Sequence, residues 1–167
     1  MKKEKDLAGS KPLRELLDKG LVKIPDSELW IGKTQVTQAL WKYIMGDNPS
    51  QFKGDDRPVE SVSYYDCEEF IKMLNENDLV KVKRLKFRLP TKDEWQTMRG
   101  EFHDPFSIGD YAWTWENANC ETHGVAQKKV NKGLEDYKGA IIEVSEEHLV
   151  AIMTSPLAWE IANMMNS

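Results

Sequence analysis

The 167-residue sequence predicts an α+β fold, and three observations carry that prediction. Several stretches place apolar residues three and four apart directly after a Ser, Thr or Pro suited to opening a helix. Two brief apolar runs, Leu29-Trp30-Ile31-Gly32 and Ala140-Ile141-Ile142-Glu143-Val144, read as strands. Between the helical patterns and the second run, residues 101–139 are loop-rich, with Gly109, Gly124, Gly133 and Gly139 and the aromatics Phe106, Tyr111, Trp113 and Trp115.

Taken in order, residues 1–10 are polar and read as an arm, with a single domain over 11–167. Pro12 opens an apolar-periodic segment, Leu13, Leu16, Leu17 and Leu21, and Gly20 supplies a stop, so a short helix is expected over 12–19. After the strand at 29–32, Thr37 caps a helix bearing Leu40, Trp41, Ile44 and Met45. The turn residues Gly46-Asp47-Asn48-Pro49-Ser50 end it, and a loop continues through Phe52, Gly54, Asp55, Asp56 and Pro58. Ser63 caps the next helix. Its inward stripe is Cys67, Phe70, Ile71 and Leu74, and its outer face is Glu68, Glu69, Lys72 and Glu76. Lys86-Phe87-Arg88-Leu89-Pro90 reads as a short strand. Thr91-Lys92-Asp93-Glu94 is a capping box opening a helix through Trp95 and Met98, which Gly100 stops. Beyond the strand at 140–144, Ser145 is placed to cap a helix with Leu149, Ile152 and Met153. Pro156 is placed to start a last one with Trp159, Ile161, Ala162 and Met165.

Composition excludes several classes. Hydrophobic residues at 40% and charged residues at 31% are too apolar a mix for a disordered chain. A chain this long buries roughly 70% of its unfolded surface, enough for a real core. No apolar run approaches a membrane span. A net charge of −5 disfavours a dedicated nucleic-acid binder, which needs a basic face. Basic residues at the N-terminus have no apolar stretch behind them, unlike a secretory signal. Two distant cysteines, Cys67 and Cys120, make neither a disulfide framework nor a zinc cage. The expectation is a reduced, cytoplasmic chain.

Chemistry-bearing patterns are sparse. His103, His123 and His148 share no helix face. There is no glycine-rich phosphate cradle and no nucleophile elbow. The alternation in Lys81-Val82-Lys83-Arg84-Leu85-Lys86 fits an edge strand with a solvated face, favoured over a nucleic-acid patch. Asp47, Asp55, Asp56 and Glu60 gather in a turn-rich loop without the spacing of a calcium loop. Cys67 at an apolar helix position reads as core rather than nucleophile. Asn117 and Asn119 beside Trp113 and Trp115 form a polar-aromatic cluster of a kind suited to ligand or partner contact, though packing under a long loop is the favoured reading of the tryptophans.

Several segments, in order, resemble the formylglycine-generating enzyme, or sulfatase-modifying factor, domain. They are Gly32-Lys33-Thr34-Gln35-Val36-Thr37, then Asn48-Pro49-Ser50-Gln51-Phe52, then Arg57-Pro58-Val59-Glu60-Ser61-Val62-Ser63. Phe87-Arg88-Leu89-Pro90-Thr91-Lys92-Asp93-Glu94-Trp95 is the most specific match, to the family's "RLPTEAEWE". An eroded likeness to "GLYDMxGNVWEW" runs from Gly133 to Val144. The resemblance covers about 26–144. It implies a variant of the C-type-lectin-like fold: short helices packed on small twisted antiparallel sheets, with much irregular loop.

The departures shape the functional expectation. The family's copper-binding catalytic cysteine pair lies beyond the "GNVWEW" segment, and the 23 residues after Val144 hold no cysteine. The iron-dependent relatives' histidine cluster is missing as well. Of the calcium ligands the resemblance implies, the first position is Ala140, leaving Asn119 and Glu143 as candidates; no cofactor is expected. The tail 145–167 reads as helical where the family returns strands. The resulting expectation is a truncated pseudoenzyme that binds a protein partner, as a small intracellular inhibitor or adaptor, with Tyr111, Trp113, Trp115 and Asn117 as its contact residues. Self-association through the final helix is an added expectation. A lectin-like or calcium-dependent binder is the alternative, ahead of an active sulfatase-modifying oxidase.

Overall fold

Four short helices and a four-stranded antiparallel sheet emerge from these patterns in a computed structural model, which describes residues 10–23, 27–89, 91, 93, 94, 113, 117–127, 141–145 and 148–151. Helix α1, Lys11–Lys19, takes Pro12 in its first turn and buries Leu13 and Leu17, four apart on one face. Ser10 precedes it and is buried rather than part of a solvated arm; its hydroxyl accepts from Arg14 Nε at 3.0 Å. Gly20 ends the helix where a Cβ would lie 2.7 Å from Leu16 Cα, a close approach that only glycine permits. Leu21 therefore does not extend the helical stripe as expected. It starts strand β1, Leu21–Lys23.

Strand β1 pairs with β2, Leu29–Gly32, in the register Val22 opposite Ile31. Strand β2 pairs in turn with β3, Ile141–Ser145, with Trp30 opposite Ile142. Strand β4, His148–Ala151, closes the order β1-β2-β3-β4, with Ser145 opposite His148. The expected helix after Ser145 is thus a strand at 148–151. Ladder bonds to β3 override the helical spacing of Leu149 with Ile152 and Met153. Residues 152–167, including the expected final helix and its self-association surface, lie outside the described residues, as does the arm 1–9.

Helix α2, Gln38–Met45, is capped by Thr37, whose hydroxyl accepts from Leu40 N at 3.3 Å. Gly46 ends it in the left-handed region at φ 89°. Helix α3, Tyr64–Glu76, starts in the reciprocal box of Ser63 and Asp66 and buries Phe70, Ile71 and Leu74. Trp41 of α2 stacks on Phe70 of α3, ring centres 4.9 Å apart and planes within 10°. Around that pair the core gathers Leu13, Leu17, Val36, Leu40, Ile44, Val59, Val80 and Phe87.

Two expected strands are absent from this part of the chain. Asn77 caps a short helix, α4, Asp78–Val82, and Val80 drops into the core. Arg84 N bonds Lys81 O and Leu85 N bonds Val80 O, with Arg84 left-handed at φ 53°: the helix ends in a Schellman motif whose left-handed residue is an arginine. The alternating charges of 81–86 therefore decorate a helix end and a turn. Residues 86–89 form no ladder either, because a side chain takes the place of a strand. Asn75 donates to Phe87 O at 2.8 Å and accepts from Phe87 N at 2.6 Å, satisfying both backbone groups of a buried residue. Thr91 and Glu94 form the expected capping box. The remainder of its helix, through Trp95 and Met98, lies outside the described residues.

Candidate functional site

Where α2 begins, a side chain that sequence reading passed over organises the neighbouring loop. Gln38 is fully buried. Its amide donates to Phe52 O at 2.8 Å and Pro58 O at 3.1 Å, and its carbonyl accepts from Asn48 Nδ2 at 2.9 Å and Gly54 N at 3.1 Å. All four of its bonding positions are used. Backbone bonds add to this: Gln38 N to Arg57 O, Val59 N to Val36 O, and a bridge between Thr37 and Pro58. Glu60, one of four carboxylates weighed as calcium ligands, spends an oxygen on Phe52 N at 2.9 Å and another on the Ser61 hydroxyl. Among the described residues no three His, Cys, Asp or Glu side chains are grouped to hold a metal ion.

The segment 54–58, fixed in this way, holds a second loop, 117–127. Arg57 donates from Nη1 to Thr122 O and from Nη2 to Glu121 Oε2 at 3.2 Å. Val125 N bonds Asp56 O at 2.9 Å. A Cβ on Gly124 would sit 2.8 Å from Asp56 Oδ2, so glycine lets the two loops close on each other. Asn119, Cys120 and Ala126 are all left-handed, at φ 52°, 58° and 60°. Non-glycine residues held there store roughly 1–2 kcal/mol each, and persist because surrounding contacts over-determine them.

This loop presents an aromatic face. The His123 ring stacks on Trp113 with centres 3.7 Å apart and planes within 19°. Nε2 of His123 lies 2.9 Å from Ala118 O, which anchors the imidazole to its own loop. Trp113 remains 39% exposed. Of the contact residues expected from sequence, Trp113 contributes to this face and Asn117 is half-buried at the start of the loop 117–127; Tyr111 and Trp115 lie outside the described residues. Asn119 occupies the left-handed turn, and Glu143 sits in β3 opposite Leu29 and Val150. Arg57, His123 and Gln38 were not foreseen as site residues. The only signal for Gln38 was a polar residue three positions before Trp41 on an otherwise apolar face.

The thiols differ sharply. Burial pushes the Cys67 thiol up to about 11, and the neighbouring Asp66 charge adds to the shift. Cys120 is exposed, and the two cysteines are free.

The family model described as "Sulfatase-modifying factor enzyme 1-like domain" matches residues 14–163. The chain is 34% identical to a chaperone protein, LppX, of Paenibacillus barcinonensis, over 55% of this chain and 46% of that protein. It thus spans about half the length of this curated relative. Among solved structures, variable protein 1 of Treponema denticola superposes with a TM-score of 0.54 at 25% identity, over 72% of this chain and 67% of its own. The α+β character expected from the sequence, with its short helices, small antiparallel sheet and long irregular connections, agrees with both likenesses.

Proposed function

This chain belongs to the sulfatase-modifying factor enzyme 1-like family, and from that premise we propose that it is a non-catalytic member that binds a polypeptide partner through Trp113, His123 and Asn117. The observation that carries this reading is Trp113, a large ring stacked on His123 and still 39% exposed. One face of its ring is spent on His123, and the loop behind it is clamped by Arg57. A large ring pre-positioned on a fixed loop loses little freedom when it is covered, which is what an interface anchor requires.

The chemistry of the Cys67 thiol supports the non-catalytic reading. The thiolate is the form that binds soft metal ions and attacks substrates. At neutral pH Cys67 is protonated, with its pKa at about 11, and it is half-buried on α3. The relative named as a chaperone protein supports a role in holding another polypeptide, and an adaptor or inhibitor is the narrower form of that role.

Affinity capture from lysate of the native source tests the proposal, comparing the unaltered chain with Trp113→Ala and with the pair Cys67→Ala and Cys120→Ser. A stoichiometric polypeptide lost with Trp113→Ala but kept in the cysteine pair is the expected result. Capture indifferent to Trp113, or aldehyde formation on a cysteine peptide that disappears with the cysteine pair, overturns it.

A further inference from the structure

A second surface lies along the outer side of α3, built from different residues. A groove of about 580 Å³ runs between the helix and the segment Phe87–Leu89, with Tyr64, Glu68, Ile71, Glu76, Arg88 and Leu89 in its walls. At its head, Tyr64 and Tyr65 are 50% and 78% exposed and meet edge to face, ring centres 6.0 Å apart. The faces of exposed tyrosines attract cations.

The charges in the groove are unequal in kind. Both cations in its walls are already engaged. Arg88 grips Glu94 with two bonds, at 2.7 and 2.5 Å, and Lys72 pairs with Glu69 at 3.4 Å. Neither Glu68 nor Glu76 makes an ion pair among the described residues, and Glu68 lies against the Tyr64 hydroxyl. Helix α3 has no basic residue in its last turn, so Glu76 adds its charge to the negative pole of the helix. Among the described residues no member of the basic run 81–86 forms an ion pair with Glu76, and Lys83 pairs with Asp18.

We propose that this groove docks a cationic peptide segment in which one basic side chain meets Tyr64, Tyr65 and Glu68, a second meets Glu76 further along the helix, and an apolar side chain rests on Ile71 and Leu89. Charge complementarity selects the occupant: two uncompensated carboxylates, a helix C-terminus and two tyrosine faces all favour a cation, and only the floor is apolar. This site stands apart from the Trp113 face, and neither proposal depends on the other.

The test uses a short labelled peptide alternating arginine with leucine, and a control alternating glutamate with leucine, titrated into the full chain by fluorescence anisotropy. The arginine peptide binds, weakening as salt rises, and the glutamate peptide does not. Glu68→Gln with Glu76→Gln weakens binding roughly fivefold, in keeping with two partly exposed charge contacts, whereas Glu15→Gln on α1 leaves it unchanged. Both altered glutamates are exposed, so the melting temperature stays the same and a folding defect is separable. Equal binding of the two peptides, no binding of the arginine peptide, or indifference to the double substitution overturns the proposal.

Discussion

The loops 46–60 and 117–127 are both irregular, yet they are held in opposite ways. The first is gathered around a single buried side chain. A buried glutamine at the start of α2 replaces a strand partner for four loop groups, and only Gly46 there is left-handed before Ser61. The second is held from outside, by a guanidinium and one backbone bond from the first, and it carries three left-handed non-glycine residues. An irregular segment is therefore as rigid as the polar partners that reach it. Because the order of the second loop depends on the first, it should be the first of the two to open in local unfolding.

The strongest way to break the contrast is Gln38→Leu. It leaves loop carbonyls and amides unpaired in a buried setting and should cost roughly 3 kcal/mol of unfolding free energy by chemical denaturation, with both loops losing protection. Next in size, Arg57→Ala should cost only about 1 kcal/mol overall because the guanidinium is partly exposed. Hydrogen exchange should quicken at 117–127 while 46–60 stays protected. Equal loss in both loops would mean that they are one unit. Ala126→Gly should raise stability by about 0.5 kcal/mol, since relief of the left-handed strain is partly offset by the freer unfolded glycine. A larger gain would show that the strain is not balanced by loop contacts.

The last effect appears only in acid. Arg88 first, and then the Thr91 bonds, hold the Glu94 carboxyl down to about 2, against an ordinary value near 4.5. A folded pKa below the unfolded one stabilises the protein above the higher value. That contribution fades as pH falls from about 4.5 toward 2. Glu94→Gln should flatten the melting temperature across this window and leave it unaffected by pH between 6 and 8.

Much of the first region was legible in the sequence. Thr37, Ser63 and the Thr91–Glu94 box cap where they were expected to, because capping is a local contest between a side chain and three backbone N–H groups. The strands at 29–32 and 141–145 also stand close to their expected positions. Three readings failed for a common reason: a distant group decided them. Lys81–Lys86 alternates like a strand, but Val80 is pulled into the core and Asn77 caps the turn before it. Phe87 is extended, but its partner is the Asn75 amide. His148–Ala151 is claimed by β3. The clasp at Arg57 was illegible for the same reason, since nothing local ties an arginine at 57 to a carbonyl at 122.

The central strand pair has a consequence for how the chain is made. Strand β2 is synthesised early, but its second partner comes from residues 141–143, so the sheet is a contact of very long range. On a ribosome, the Trp41–Phe70 core can assemble while one edge of β2 still presents bare N–H and C=O groups. Long-range pairing is slow to form, and in that interval the nascent chain has an open template for another strand. A nascent-chain length series should therefore show aggregation of arrested chains ending before residue 141 and its relief in those that carry β3 out of the exit tunnel.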